Sequence, residues 1–203
     1  MSLPIYPVGG ITSLLGSEQV SLPTRKALLA RMNQATISEP CFFDKRTFAI
    51  LQAACARLMR PMDGEQTVDI AGPIDRLLAD SAGNGWRYDA LPPYAQAYQA
   101  GLHGLDQSAH ALFDVSFVQL DAIQQDSVLC AVQCGKAPGV VWVTLPAQLF
   151  FEELLAAATQ ACYAHPLVQE SIGYAGMADA PGWQLIGLNE LQAREPRHIM
   201  RAG

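Results

Sequence analysis

Apolar residues recur every three or four positions over most of the chain, and this spacing predicts helices. Phe48, Leu51 and Cys55 form one such line. The predicted helices run from about Asp44 to Met59, from Val68 to Ala79, from after Pro93 to Leu112, from Asp121 through Val132 and from Pro146 to Ala164, preceded by a short helix from Thr24 to Met32. We therefore expect an all-α protein, an irregular bundle of about five to six helices.

Several predicted helix ends carry residues with suitable capping chemistry. Asp44 can accept backbone N–H bonds at the start of its helix. Asp121 and Gln124 resemble a capping box, and Gly135 can supply the left-handed residue that ends the same helix. Gly101 lies inside the helix after Pro93, where we expect it to mark a close contact with another helix.

The two segments after Gly135 differ in pattern. Pro138 to Val143 is a short apolar link that fits either a strand or a simple extended segment. The next helix, Pro146 to Ala164, is apolar nearly all round. Helices of that kind usually lie at the centre of a bundle, so we expect Phe150 to Ala164 to be the central helix.

Proline and glycine mark both ends of the chain. Residues 1–40 are punctuated by them and are expected to form an irregular N-terminal arm, which either packs on the core or a partner or is disordered. Residues 41–203 are expected to form one helical domain. Its last part, Pro166 to Leu188, is a loop rich in glycine and proline, and His165 ahead of it is expected to cap the end of the preceding helix.

The composition is half apolar but only 16% charged, below the typical value of about 25%. One interpretation is a protein that buries part of its surface against another chain. The other is an alanine-rich helical monomer, and composition alone leaves both open.

Charge and hydropathy exclude two kinds of partner. The net charge is −6 and the basic residues are scattered, whereas nucleic-acid binding needs clustered Lys and Arg. No apolar run approaches the ~18 residues that cross a bilayer, so no direct membrane span is expected. The start of the chain does not read as a signal peptide. The sequence as it stands predicts a cytoplasmic location, or a periplasmic inner-membrane complex if a signal was removed or the chain is exported with its partner.

No pattern of catalytic or ligand-binding residues is recognisable. Cys130 and Cys134 lie four apart on one helix face, but a structural zinc site needs four ligands and no matching pair exists elsewhere. Inert packing is the expected role, with an oxidisable pair as the alternative. The chain also contains no Glu-x-x-His motif, nucleotide-binding glycine loop or Walker loop. We therefore predict no catalytic, cofactor-binding or metal-binding residue in this chain.

Tyr174, Met177 and Trp183 stand out within the C-terminal loop. Aromatic anchors on a shaped loop are typical interface hot spots, so these three residues are the predicted partner interface. The alternative is that Trp183 folds back and closes the end of the bundle.

Two other kinds of function stay open at this point. The chain is a free-standing small helical enzyme if Glu152, His165 and Asp179 line a pocket beside the fifth long helix. It is a ligand-binding regulator if such a pocket binds without reacting.

The order and spacing of several short motifs resemble the gluconate 2-dehydrogenase subunit 3 family between about Phe42 and Leu188. The motifs are Leu58-Met59-Arg60-Pro61; Ile70 to Leu78 (IAGPIDRLL); Tyr98 to Leu102 (YQAGL) followed by Leu105-Asp106; Phe117, Leu120, Gln124-Gln125-Asp126 and Leu129; and Phe150-Phe151, Tyr163, Pro166, Gly182-Trp183 and Ile186-Gly187.

The resemblance implies a non-catalytic role as the small, or gamma, subunit of a flavin-dependent sugar or polyol dehydrogenase. In such complexes the catalytic subunit is of the glucose-methanol-choline (GMC) oxidoreductase type and holds the FAD. A cytochrome c subunit often passes the electrons on. The small subunit is then expected to bind the catalytic subunit and to assist its maturation and export. Family members often carry a twin-Arg signal, and this sequence departs from that pattern.

Overall fold

A computed structural model describes residues 15–16, 20–33, 36–37, 39–59, 68–80, 88–172 and 174. The helices are α1 (Leu22–Met32), α2 (Lys45–Leu58), α3 (Ala71–Ala79), α4 (Tyr94–Phe113), α5 (Ala122–Gln133), α6 (Ala147–Tyr163) and α7 (Pro166–Ser171), with 3₁₀ turns η1 (Phe117–Gln119) and η2 (Val140–Val143). No strand occurs in these ranges. The predicted fold, an all-α irregular bundle, is confirmed.

The chain divides into two compact units. One contains residues 35–162, and the other contains residues 1–34 and 163–203. The boundary falls at the end of α6. The expected division into an arm, residues 1–40, and a single domain, residues 41–203, stays a prediction.

Helix α4 is the centre of the larger unit. It packs against α2, α5, η1 and η2. Glycines on α4 allow two aromatic rings to come close: a Cβ at Gly101 would collide with the ring of Phe150, and one at Gly104 would collide with the indole of Trp142. The predicted close contact at Gly101 is therefore confirmed.

The prediction that Phe150 to Ala164 forms the central helix is wrong. Helix α6 buries Phe150, Phe151, Leu154 and Ala158 along one side, while Ala156 and other positions face solvent. Its alanine-rich second half made the sequence look apolar all round. Alanine is the best helix former and is tolerated on an exposed face, so it does not report burial.

The predicted capping residues act as expected. The Asp44 carboxylate accepts the N–H of Thr47 at 2.8 Å. Asp121 and Gln124 form a reciprocal capping box at the start of α5. At its end Gly135 has φ +67°, and the N–H of Lys136 reaches back to the carbonyl of Ala131 at 2.8 Å. This bond is the wide hydrogen bond of a Schellman motif.

Two segments differ from the prediction. Helix α3 begins at Ala71 rather than Val68, because Asp69 accepts the N–H of Gly72 at 2.9 Å and so acts as a local cap. Pro138 to Val143 is neither a strand nor simply extended, since Val140–Val143 forms η2. The Trp142 indole N–H anchors η2 by donating to the Ser108 hydroxyl at 2.9 Å.

In the smaller unit, α1 packs against α7, and Leu15, Leu28 and Met32 form a small apolar cluster. Helix α1 begins at Leu22, two residues before the predicted Thr24, with Ser21 as its N-cap. Across the described ranges, no helix is both long and apolar enough to cross a membrane.

Candidate functional site

Tyr174 is the part of the predicted interface that the structure describes. Its side chain is 53% exposed. Its backbone N–H donates to the carbonyl of Gln169 at 2.8 Å, which ties the residue to the end of α7. Met177 and Trp183 lie outside the described residues. The interface assignment of these three residues therefore stays a prediction, with Tyr174 on an anchored backbone.

His165 caps the start of α7, not the end of the helix before it, so that expectation is corrected. Its Nδ1 accepts the N–H of Leu167 at 3.3 Å. Burial lowers the pKa of His165, while a hydrogen bond to the backbone of Arg31 raises it. The N-cap bond needs an unprotonated Nδ1, so the neutral ring is the form that suits this position.

Glu152 lies in the other unit, where it has a structural partner. The Tyr88 hydroxyl donates to its carboxylate at 2.6 Å. This hydrogen bond is the main reason that the pKa of Tyr88 is raised. Asp179, the third polar group of the alternative pocket, lies outside the described residues.

Two buried aspartates bind backbone N–H groups. Asp75 accepts the N–H groups of Cys41, Phe42 and Phe43 at 2.6, 3.1 and 3.0 Å. Asp106 accepts the N–H of Phe117 at 2.9 Å. Each carboxylate holds a backbone segment outside its own helix in place.

Asp106 also forms an ion pair at its second oxygen. Arg46 Nη2 lies 2.7 Å from Oδ2, and His110 Nε2 lies 4.0 Å from the same oxygen. This arrangement explains how α4 tolerates a buried charge, because each carboxylate oxygen has a donor.

Glu153 is a buried acid that sequence reasoning missed. It is only 5% exposed, and burial raises its pKa. The hydroxyl of Tyr98 lies 3.5 Å from the Glu153 backbone carbonyl. Burial, with the charge of Glu153 next, raises the pKa of Tyr98 well above its usual range. A signal was present: Glu153 follows Phe150 by three residues and so shares its helix face.

Cys130 and Cys134 are both exposed and carry free thiols. Within the described ranges, no group of three or more His, Cys, Asp or Glu side chains could hold a metal ion. The inert-packing expectation is wrong for this pair, since neither thiol is packed in the core. They line an open groove of about 610 Å³ together with Ile123, Asp126, Ser127, Ala131 and Lys136.

The comparison with family models decides the membership of the chain. The model of gluconate 2-dehydrogenase subunit 3 matches residues 45–187, more than two thirds of the sequence. The chain belongs to the gluconate 2-dehydrogenase subunit 3 family. Neither a curated protein nor a solved structure matches it. The name of the family is that of one subunit of a dehydrogenase.

In this member of the subunit 3 family, four of the described motif residues have structural contacts. Asp75 and Asp106 bind backbone N–H groups, and Gly101 accommodates Phe150. Asp126 receives both Nε and Nη2 of Arg57, at 2.7 and 2.6 Å, and this bond is the main cause of its lowered pKa. The motifs by which the family was recognised thus include residues that stabilise the bundle.

The groove on α5 was also missed from the sequence. Its pattern is readable afterwards, because Ile123, Ser127, Cys130 and Cys134 follow each other at spacings of four, three and four. The buried side of the same helix, with Val128, Leu129 and Val132, has a similar apolar period. The two apolar stripes have the same spacing in the sequence, so only the packing shows which one faces the core.

Proposed function

We propose that this chain is the non-catalytic small subunit of an FAD-dependent sugar or alcohol dehydrogenase. It binds and stabilises a catalytic subunit of GMC type and assists the maturation or export of that subunit. The family match over residues 45–187 is the observation that carries this proposal.

The exposure of Tyr174 supports a binding role. A tyrosine offers a large contact area at low conformational cost, and aromatic residues are enriched among hot spots. The Tyr174 backbone is fixed at the end of α7 by its bond to Gln169. The proposed contact surface consists of Tyr174, Met177 and Trp183.

The hydrogen bonds of Asp75, Asp106, Glu152 and His165 support a structural rather than a catalytic role for these four residues. A general base needs a carboxylate or imidazole that can reach a substrate proton. Asp75 and Asp106 are buried and occupied by N–H donors of their own chain. Glu152 accepts a hydrogen bond from Tyr88, and His165 accepts one from Leu167.

The cofactor and the remaining partners follow from the same proposal. FAD is bound by the catalytic subunit, and a cytochrome c subunit is a further partner that accepts electrons. The complex is cytoplasmic, or periplasmic and held at the inner membrane if the chain is exported together with its partner. Fractionation of cells that carry a tagged chain distinguishes the two locations.

Co-expression tests the maturation role. The catalytic subunit is produced with and without this chain, and its solubility, bound flavin and sugar oxidation with an artificial electron acceptor are measured. We expect soluble, flavin-loaded and active protein only when the chain is present. The purified chain alone serves as a control and is expected to be inactive. A fully soluble, flavin-loaded and active catalytic subunit in its absence would contradict the role.

Tyr174→Ala and Trp183→Ala test the contact surface. Each is expected to weaken binding to the catalytic subunit by about 2 kcal/mol, roughly 30-fold in Kd, if it removes a hot spot. Kd is measured by surface plasmon resonance on the purified subunits. Tyr163→Ala is a matched control, because Tyr163 is also an exposed tyrosine of the same unit. An equal loss in all three variants would argue against a localised hot spot.

A further inference from the structure

Helix α5 is apolar on two opposite sides. Val128, Leu129 and Val132 face the core. The other side presents Ile123, which is 79% exposed, and then Ser127, Cys130 and Cys134. A surface helix ordinarily has one apolar stripe and an opposite polar face. The second stripe therefore has the character of a contact face.

The shape of this face suits a helix. Ser127 and Ala131 lie one turn apart on the four-residue ridge of α5, and both side chains are small. Small residues in such a row let a second helix approach closely and place its own ridge in the groove. The groove volume of about 610 Å³ lies beside this row.

The groove has two charged residues, Asp126 and Lys136, and they differ in their ion-pair partners. Asp126 is held by the two-point contact with Arg57. Lys136 stands at the C-terminal end of the groove and forms no ion pair with any of the described residues. An occupant that leaves Asp126 with Arg57 and places a carboxylate beside Lys136 would match both charges.

We infer that the groove receives a helix of the catalytic subunit, with an apolar ridge over Ile123, Cys130 and Cys134 and a carboxylate against Lys136. This inference rests on the proposed function. It adds a second contact surface, on the larger unit, to the one at Tyr174.

The area of the face favours a subunit of the complex over a second copy of this chain. The groove is about 20 Å long, and a helix is about 10 Å across, so the footprint is on the order of 200 Å². A stable interface needs about 800 Å² from each partner. Self-pairing through this groove alone is too small, whereas the catalytic subunit also gains the surface at Tyr174.

The reactivity of the native cysteine thiols shows whether the groove is covered. Cys130 and Cys134 line it, and Cys41 is an exposed thiol outside it. Alkylation of each thiol by N-ethylmaleimide is followed by mass spectrometry in the free chain and in the purified complex. We expect labelling of Cys130 and Cys134 to slow at least ~10-fold in the complex, because a packed interface excludes water and reagent. Labelling of Cys41 should not change.

Two aspartate substitutions provide matched variants. Ile123 and Val140 are both 79% exposed, but only Ile123 lines the groove. Ile123→Asp places a carboxylate in the first turn of α5, where the helix dipole favours it, so the fold should be retained. We expect Ile123→Asp to weaken binding to the catalytic subunit by ~30-fold, and Val140→Asp by less than ~2-fold. Lys136→Glu should weaken binding less than Ile123→Asp.

The possible results separate the inference from the proposed function. A complex in which Cys130 and Cys134 label as fast as in the free chain, or which tolerates Ile123→Asp, overturns the groove assignment and leaves the function intact. Failure of the wild-type chain to bind the catalytic subunit overturns the function itself. Doubling of the mass of the isolated chain, abolished by Ile123→Asp, assigns the groove to a second copy. Slow labelling of both thiols in an isolated monomer assigns it to another segment of this chain. These last two results also overturn the inference.

Discussion

Two kinds of buried acid coexist in the larger unit. Asp75 accepts backbone N–H groups from a segment 32 to 34 residues away, and Asp106 accepts one from the turn that follows its helix. Glu153 lies on α6 with a pKa raised by burial. All three are at most 5% exposed. The difference lies in their partners: the aspartate carboxylates accept backbone N–H groups, whereas burial raises the pKa of Glu153 and so favours its neutral form.

This contrast shows that burial alone does not mark a functional acid. A carboxylate that accepts several N–H bonds replaces its lost hydration with fixed dipoles. For Glu153, the cost of burying a charge is instead reduced by protonation, which removes the charge. The contrast can be tested by removing each acid and following stability, from the largest expected effect to the smallest.

Asp75→Ala should have the largest effect. It leaves the N–H groups of Cys41, Phe42 and Phe43 without their acceptor, and we expect a loss of about 3 kcal/mol in the free energy of unfolding. Urea unfolding followed by circular dichroism measures it. Asp80→Ala is the control at the C-cap of the same helix, since Asp80 is exposed, and should change stability by less than ~0.5 kcal/mol. Equal effects would mean that the three N–H bonds are not what stabilises this region.

Asp106→Ala should destabilise by about 2 kcal/mol, because the buried N–H of Phe117 loses its acceptor. Asp106→Asn retains a side-chain oxygen for that N–H and loses only the charge opposite Arg46, which is exposed. It should therefore cost about 1 kcal/mol or less. The same unfolding experiment compares them. Equal losses in Asp106→Asn and Asp106→Ala would give the main role to the ion pair, because both variants lose it.

Glu153→Gln should act in the opposite direction. The folded-state pKa of Glu153 is raised above its ordinary value of 4.5, so the group contributes stability below that pH and loses it as pH rises through the folded pKa. The glutamine variant should gain in melting temperature relative to wild type as pH goes from 4 to 7. A difference between the two proteins that is independent of pH would contradict the raised pKa.

His165→Asn extends the comparison to the smaller unit and should have the smallest effect. The pKa of His165 is lowered from 6.5, so its contribution to stability is present above that pH and is lost as pH falls through the folded pKa. Asparagine is also a good N-cap but does not titrate. Thermal unfolding between pH 5 and 8 should show a flatter acid limb for the variant. Identical profiles would mean that His165 is not the titrating group.

The structural features predicted best from the sequence are those that depend on contacts within about one helical turn. The capping box of Asp121 with Gln124 and the left-handed Gly135 depend on neighbours three to five residues away, so local pattern suffices. The 3₁₀ turn at Val140–Val143 depends on Ser108, which lies 34 residues from Trp142. The same is true of the central position of α4, which requires contacts with α2 and α5.

The candidate sites show the same difference between features that the local sequence reveals and features that depend on packing. Tyr174 was recognisable because a loop aromatic is conspicuous in a sequence. The groove on α5 was not, because residue types cannot say which of two apolar stripes the core covers. Cys130 illustrates this, since cysteine is commonly buried and here is exposed.

The hydrogen bonds from residues 41–43 to Asp75 also affect how the larger unit unfolds locally. The bonded groups are 32 to 34 residues apart, so forming the contact closes a long loop and costs chain entropy. The segment ahead of α2 therefore loses these three hydrogen bonds when α3 undocks. We therefore expect the three amides and α3 to exchange hydrogen as one cooperative unit, although they come from distant parts of the chain.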